Sequence, residues 1–381
     1  MSLHYFDHAA SAPRSARVAE RMAPFEHGVV GNPSGSHRAA RDARRAIEEA
    51  RDVVAHLVGA PASGVVFTGG GTESCTLALA GVMASRRGSA RSRLLVSAIE
   101  HHAVLDAATL CERECGSTIT LVGVESSGVL DLSEFAATLD AEVGLVSVMT
   151  ANNETGVVQP IPVIAEITHA HGGLVHTDAV AGAPWLDLRD ATRGADLLSL
   201  AAHKLGGPVN SGALVVRGAL ELAARSPGGG QERGWRGGTV DVAAAVGLAA
   251  ALEESAEQRT RARERAVQIR ERLWSEVSGL EGVVRTVEEA ETLPGTLHLC
   301  VEGVASDELL FVLDEAGVCA SAGASCSSGA SQSSHVLAAM GVESGRARGA
   351  LRLSFGLETT DADVTAAIAA IRRAHARLRE G

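Results

Sequence analysis

The chain has 381 residues, a formal net charge of −12, and 46% hydrophobic but only 3% aromatic residues. This balance excludes a nucleic-acid surface of the usual basic kind, since no sufficiently long Lys/Arg block interrupts it. No apolar run approaches the roughly 18 residues that a membrane span needs. At roughly 150 residues per domain the length suggests about two domains. An apolar load carried by Ala, Val, Leu and Gly suits helices on a buried parallel sheet more than a β-sandwich. The N-terminus lacks the basic-then-apolar layout of a signal peptide. The six scattered cysteines fit a reducing, cytoplasmic setting rather than a disulfide framework. Cys111 and Cys115 share a helix face at i, i+4 and read as buried thiols in preference to a metal site.

In chain order, "ARDARRAIEEARDVVAHLVG" has the 3.6-residue apolar spacing of a helix. "VVFTGGGTES" reads as a buried strand, a glycine turn and a helix opening at Thr72 or Glu73. "RLLVSAIEHHAVLDAATLCERE" is strand, loop and helix, and "GLVSVMTANNETG" is a strand ending in polar residues. "PVIAEITHAHGG" is a helix stopped by Gly172 and Gly173. "LVHTDAVAG", "ADLLSLAAHKLGG" and "GALVVRG" are further short strands. Such alternation implies βαβ units and a mostly parallel sheet. A highly charged helix, "LEESAEQRTRARERAVQIRERLWSEV", marks a break near residue 250, and the remainder reads as a small α+β domain.

Ligands of open α/β sheets bind beyond the carboxyl ends of the strands. There the sequence places "TGGGTES", "EHHAV", "TANNETG", "HTDAVAG" and "AAHKLGG". Each is ambiguous alone: a tight turn, capping histidines, turn asparagines, a helix-capping Asp178. Lys204 stands out as the single lysine of the chain, at a strand end and flanked by Gly206 and Gly207. A lysine so placed can form a Schiff base. Together the segments offer a lysine, an acid for a pyridinium nitrogen and an anion site at the Thr72 helix start. This is the set that pyridoxal 5′-phosphate requires.

With these motifs the sequence resembles the cysteine desulfurases of the NifS/IscS type, in the class V aminotransferase group. The likeness runs through "YFDHAASAP", "GNPSGSH", "FTGGGTES", "EHHAVL", "ANNETGVVQPI", "HTDA", "AHKLGGP", "GGGQERGWRGGT", "GASCSSG" and "ALRLSFG", nearly the whole chain. The resemblance implies an α/β fold of the fold type I pyridoxal-phosphate transferases. A large domain over 15–255 would hold a mostly parallel seven-stranded sheet between helices. A small α+β domain would comprise 1–14 and 256–381 and carry the catalytic-cysteine loop at about 321–334.

The resemblance also implies roles. Lys204 would hold the cofactor, His101 would stack on its ring, and Asp178 would meet the pyridine nitrogen. Gly71, Thr72 and His203 would contact the phosphate, together with Thr239 of the other subunit of a homodimer. Asn32, Asn152 and Arg352 would bind the substrate, with Asn152 also at the cofactor. Cys326 would be the nucleophile that takes sulfur from L-cysteine and passes it to an acceptor protein, an iron–sulfur scaffold or a thiolation relay. No metal, nucleic acid or membrane enters this reading.

Three positions depart from the family pattern. Ala181 stands where the family has a glutamine on the ring's phenolate oxygen, Ala201 where it has a phosphate-binding serine, and Cys75 where it has an asparagine. Two alternatives therefore stand beside desulfuration: a specialised C–S lyase or sulfur donor acting on a larger sulfur compound, and a non-catalytic sulfur-transfer scaffold. The segment "ASAGASCSSGASQSSH", thirteen of whose sixteen residues are Ala, Ser or Gly, is expected to be the most mobile loop, at about 323–333.

Overall fold

A computed structural model describes residues 2–323 and 334–379. Twelve strands are described: β1 (His4–Tyr5), β2 (Val65–Thr68), β3 (Arg93–Ser97), β4 (Thr118–Val122), β5 (Val143–Ser147), β6 (Leu174–Asp178), β7 (Leu197–Ala201), β8 (Gly212–Val216), β9 (Val283–Arg285), β10 (Thr296–Val301), β11 (Val318–Cys319) and β12 (Ala350–Ser354). Seven of them form one sheet in the order β2-β8-β7-β6-β5-β3-β4. β8 runs antiparallel to both neighbours and every other pairing in the sheet is parallel. β5, β7 and β8 are buried throughout and apolar on both faces, as a sheet covered by helices demands.

Four α-helices come first: α1 (Ala16–Glu26), α2 (Arg38–Val58), α3 (Gly71–Ser85) and α4 (His102–Cys115). α2 buries Ala43, Ile47, Ala50 and Val54 against one sheet face. Its end is fixed by Gly59 at φ 68°, a left-handed cap that glycine adopts without steric cost. α3 and α4 cover the other face, where Cys111 and Cys115 are buried thiols. Desolvation pushes the Cys111 thiol up to about 12.

A separate sheet, β12-β10-β9, builds a second core with Phe6, Phe355, Leu299 and Leu351. The 36-residue helix Val242–Val277, α5 here, joins the two. Its first third packs Val246 and Leu248 into the large core, and its last third packs Ile269 and Leu273 into the small one. A side chain at Gly247 would meet Met22 Sδ at 2.6 Å, so α1 approaches this helix closely only because the position is glycine.

Residues 226–239 form a loop held by a buried ion pair. Arg51 Nη2 lies 2.8 Å from Glu232 Oε1, with both side chains under 5% exposed. The other Glu232 oxygen accepts from Phe67 N–H at 2.7 Å. Glu232 and Arg233 take φ of 44° and 60°, an unusual conformation for non-glycine residues that this pair stabilises.

Candidate active site

The carboxyl ends of β2, β5, β6 and β7 enclose a cavity of about 350 Å³. Asp178 is the last residue of β6, and Lys204 lies in a 3₁₀ turn, Ala202–Leu205, directly after β7. β6 and β7 are adjacent and parallel, with Asp178 opposite Ser199, so acid and lysine arise at neighbouring strand ends. Gly206 at φ 76° closes the lysine's turn.

On the β2 side, α3 opens at Gly70, which supplies no side-chain cap. Its first amide groups thus stay available to an anion. Gly71 and Thr72 line the cavity, and a side chain at Gly71 would meet Val180 Cγ2 at 2.9 Å. His203 also lines it, and burial, aided by Lys204 and His101, lowers its pKa to about 4.

His101 caps α4, its Nδ1 accepting from Ala103 N–H at 3.0 Å. A neutral ring in that role carries its proton on Nε2. Burial lowers the His101 pKa, opposed by Asp178 and reinforced by Lys204, so the ring is neutral at physiological pH.

Asp178 Oδ1 accepts from Val180 N–H at 2.9 Å, and Cys75 Sγ lies 3.7 Å from Oδ2. A fully buried polar chain continues below the sheet: Ser199 Oγ is 2.9 Å from His176 Nε2, whose Nδ1 is 2.8 Å from Ser147 Oγ. Burial, then Asp178, raise the Cys75 thiol well above its usual value, which keeps it protonated.

Arg352, 1% exposed, reaches the cavity from β12. It pairs with Asp7 at 2.8 Å and donates to Asn153 O at 2.8 Å, while its buried Nε has no partner among the described residues.

Two expected positions, Asn152 and Asn32, lie differently, while Thr239 is expected to serve the other subunit and not its own. The Asn152 amide is spent on its own turn: Oδ1 accepts from Glu154 N–H and Thr155 N–H at 2.9 Å each, and Nδ2 donates to Ile99 O. Asn153 is the member of the pair that lines the cavity beside Lys204. Asn32 is exposed, its Oδ1 accepting from Ser34 N–H, and does not line its own protomer's cavity. Thr239 is likewise exposed and away from that cavity. Cys326 and the loop expectation at 324–333 lie outside the described residues.

Glu100 escaped the sequence reading although it directly precedes His101. It is fully buried, accepts from Met149 N–H through one oxygen and leaves the other unpartnered among the described residues. Burial and then Asp178 raise its pKa well above the carboxylate range. Nothing in "EHH" distinguishes it from a surface acid.

Beyond Ala181 a second chamber of about 130 Å³ opens between Trp185, Leu205, Glu254 and Phe355. Ala9, Asn153, Ala181 and Lys204 border both spaces. The short Ala181 side chain thus stands between the two spaces without filling either.

The sequence pattern of the family described as aminotransferase class-V matches residues 4–366. This chain belongs to the class V aminotransferase family. It is 38% identical over 387 residues to the IscS-like cysteine desulfurase of Mycobacterium tuberculosis, covering 98% of this chain and 97% of the relative. It is 37% identical to the cysteine desulfurase IscS of Klebsiella pneumoniae, covering 99% and 93%. Among solved structures, a NifS-like protein superposes with a TM-score of 0.91 at 30% identity over the full length of both chains. A structure described as SspA in complex with cysteine superposes at 0.82 with 33% identity, covering 92% of this chain and 98% of that one.

Class V aminotransferases of this kind use pyridoxal 5′-phosphate, and the cavity fits the group. The uncapped start of α3 suits its phosphate, Asp178 its ring nitrogen and Lys204 its aldehyde. In this class V aminotransferase, Ala181→Gln is expected to lower the cofactor Kd at least tenfold, since a hydrogen bond to a charged acceptor contributes about 1.5–3 kcal/mol. Equilibrium dialysis against pyridoxal phosphate reads this, and an unchanged Kd contradicts it.

Buried histidines also set a pH response. Burial lowers His8 and His203 to about 4 and His176 and His298 to about 3. Their unfolded counterparts titrate near 6.5, so the unfolded chain binds more protons and stability falls as pH drops through 6.5 toward 4. Glu100 and Glu154, both raised by burial, act in the opposite sense. With His101, also lowered by burial, five histidines against two acids leave a net loss, so Tm is expected to decline between pH 6.5 and 5. A Tm that climbs over that interval in scanning calorimetry refutes this balance.

Proposed function

We propose that the protein is a pyridoxal-phosphate-dependent cysteine desulfurase, converting L-cysteine to L-alanine and leaving the sulfur as a persulfide on Cys326. The observation carrying this reading is one cavity lined together by the chain's single lysine, Asp178 on the adjoining strand end and Arg352. The names of the relatives support it. Bound there, the cofactor supplies a sink for the electron pair left when the substrate loses its Cα proton.

The chain's residues do the rest. Arg352 and Asn153 hold the substrate carboxylate, and Lys204 Nζ removes the proton from Cα. Asp178, buried and fixed by Val180 N–H, keeps the ring nitrogen protonated. His101, neutral with its proton on Nε2, exchanges that proton near the reacting sulfur. At Cys326 an S–S bond forms as the substrate C–S bond breaks. Cys326 thiol plus cysteine become the Cys326 persulfide plus alanine, with no other reagent needed. An acceptor protein, an iron–sulfur scaffold or a thiolation relay, then takes the sulfur. The working form is a homodimer in the cytoplasm, in which Thr239 of each protomer completes the phosphate site of the other.

Cys326→Ala given L-cysteine tests the reading. Alanine formation is expected to fall at least ~100-fold, with no persulfide mass increment on the protein. Alanine and sulfide released at the parental rate reject Cys326 as nucleophile.

A further inference from the structure

A third cavity, of about 330 Å³, shares no lining residue with the cofactor cavity. Its walls are the C-terminal half of α5, β9, the segment 287–295 and the start of β10. Arg263, Val267 and Arg270 face it from one stripe of α5, at i, i+4 and i+7, and Arg285 faces it from β9.

The charges of these walls are only partly paired. Glu271, whose side chain is 54% exposed, is the one carboxylate within ion-pair distance of these arginines among the described residues. It lies 3.4 Å from Arg270 Nε and 3.5 Å from Arg285 Nη2. Arg263 has no carboxylate within ion-pair distance among the described residues; its Nη1 donates to Trp185 O at 3.0 Å. Glu288 and Glu291 line the rim but are exposed and pair with none of the three arginines among the described residues. Three guanidinium groups therefore share one ion-paired carboxylate, while the two rim carboxylates stay unpaired with them among the described residues. Burial lowers the Arg270 pKa, with Arg285 and Arg263 adding to the depression, which places the three within electrostatic reach of one another.

The deeper wall is polar and incompletely satisfied. His298 is 3% exposed, its Nδ1 is 2.7 Å from Thr286 Oγ1, and its Nε2 has no partner among the described residues. Thr155 and Thr296 complete this wall. Purely structural arginines would be expected to spend their donors on the protein. Here neither Nη2 of Arg263 nor Nη2 of Arg270 makes a hydrogen bond among the described residues. Guanidinium forks set around a space of this size match the oxygens of a phosphate or carboxylate group. A single chloride would leave most of the volume unfilled.

We infer that this cavity is a binding site for a small dianion bearing phosphate or carboxylate oxygens, distinct from the cofactor site. It lies one hydroxyl from the catalytic turn: Thr155 Oγ1 donates to Asn152 Oδ1 at 3.1 Å in the turn that presents Asn153.

The test uses cofactor-loaded protein, so that the cofactor's own phosphate site is filled. Inorganic phosphate and succinate are titrated separately, with ionic strength held constant by sodium chloride. Binding is followed by calorimetry and by Trp274 emission, since the Arg285 guanidinium sits 5.0 Å from that ring. Saturable binding of at least one dianion is expected, with Kd raised at least tenfold in both Arg263→Gln and Arg285→Gln. The arm that saturates identifies phosphate or carboxylate chemistry. A response that never saturates, or identical isotherms in parent and variants, overturns the site. The readout is binding rather than turnover, so it stands or falls independently of the desulfurase reading.

Discussion

Lys204→Ala is expected to leave a folded protein that no longer retains pyridoxal phosphate covalently and whose turnover of L-cysteine falls by roughly 10³–10⁴. Lys204 is the chain's one lysine, which makes the result unusually clean. Borohydride reduction of the loaded parent should add one cofactor mass to the intact protein, with no surface lysine to contribute background. The variant should gain none. Lys204→Arg should behave like the alanine variant, because a guanidinium keeps the charge without supplying the nucleophilic amine. Covalent labelling that survives in either variant removes Lys204 from the centre of the mechanism.

The second large effect lies away from the cavity. Glu232→Ala removes the buried partner of the Arg51 guanidinium, whose side chain is 4% exposed, leaving it Val65 O and the half-exposed Glu48, and leaves Phe67 N–H without its acceptor. Removing one partner of a buried pair costs about 3–5 kcal/mol. The denaturation midpoint should fall accordingly. The loss should extend to function, because Glu232 anchors the loop carrying Thr239. If that threonine serves the neighbouring protomer, cofactor affinity drops together with stability. Glu232→Gln retains an acceptor for Phe67 N–H and should recover part of both. Parental stability in Glu232→Ala would mean that the pair is solvated in solution.

The parallel sheet was legible because each strand is an apolar run ending in polar residues, a pattern that strand burial produces directly. The antiparallel β8 was not, since "GALVV" carries no mark of direction. The long helix was read from its charged half alone. Its beginning, "VAAAVGLAAA", is buried on nearly every side and shows no amphipathic period. Asp178 and Lys204 could be placed from sequence because strand ends converge in any open α/β sheet. The choice between Asn152 and Asn153 could not, because consecutive asparagines differ only in which one closes the turn. The Asp7 partner of Arg352 was invisible for another reason. The two residues are 345 positions apart, and only the folded chain joins them.

Helix α5 also constrains how the molecule can move. At 1.5 Å per residue its 36 residues form a rod about 54 Å long, and one unbroken rod is embedded at its two ends in different cores. A hinge needs residues whose dihedral angles can change, and a continuous helix offers none without breaking its hydrogen bonds. The crevice above Lys204 therefore narrows or widens by elastic flexing of this rod, in small displacements, and not by the swing of a lid-like body. Access to the cavity then falls to side chains, while the two cores keep a nearly constant spacing.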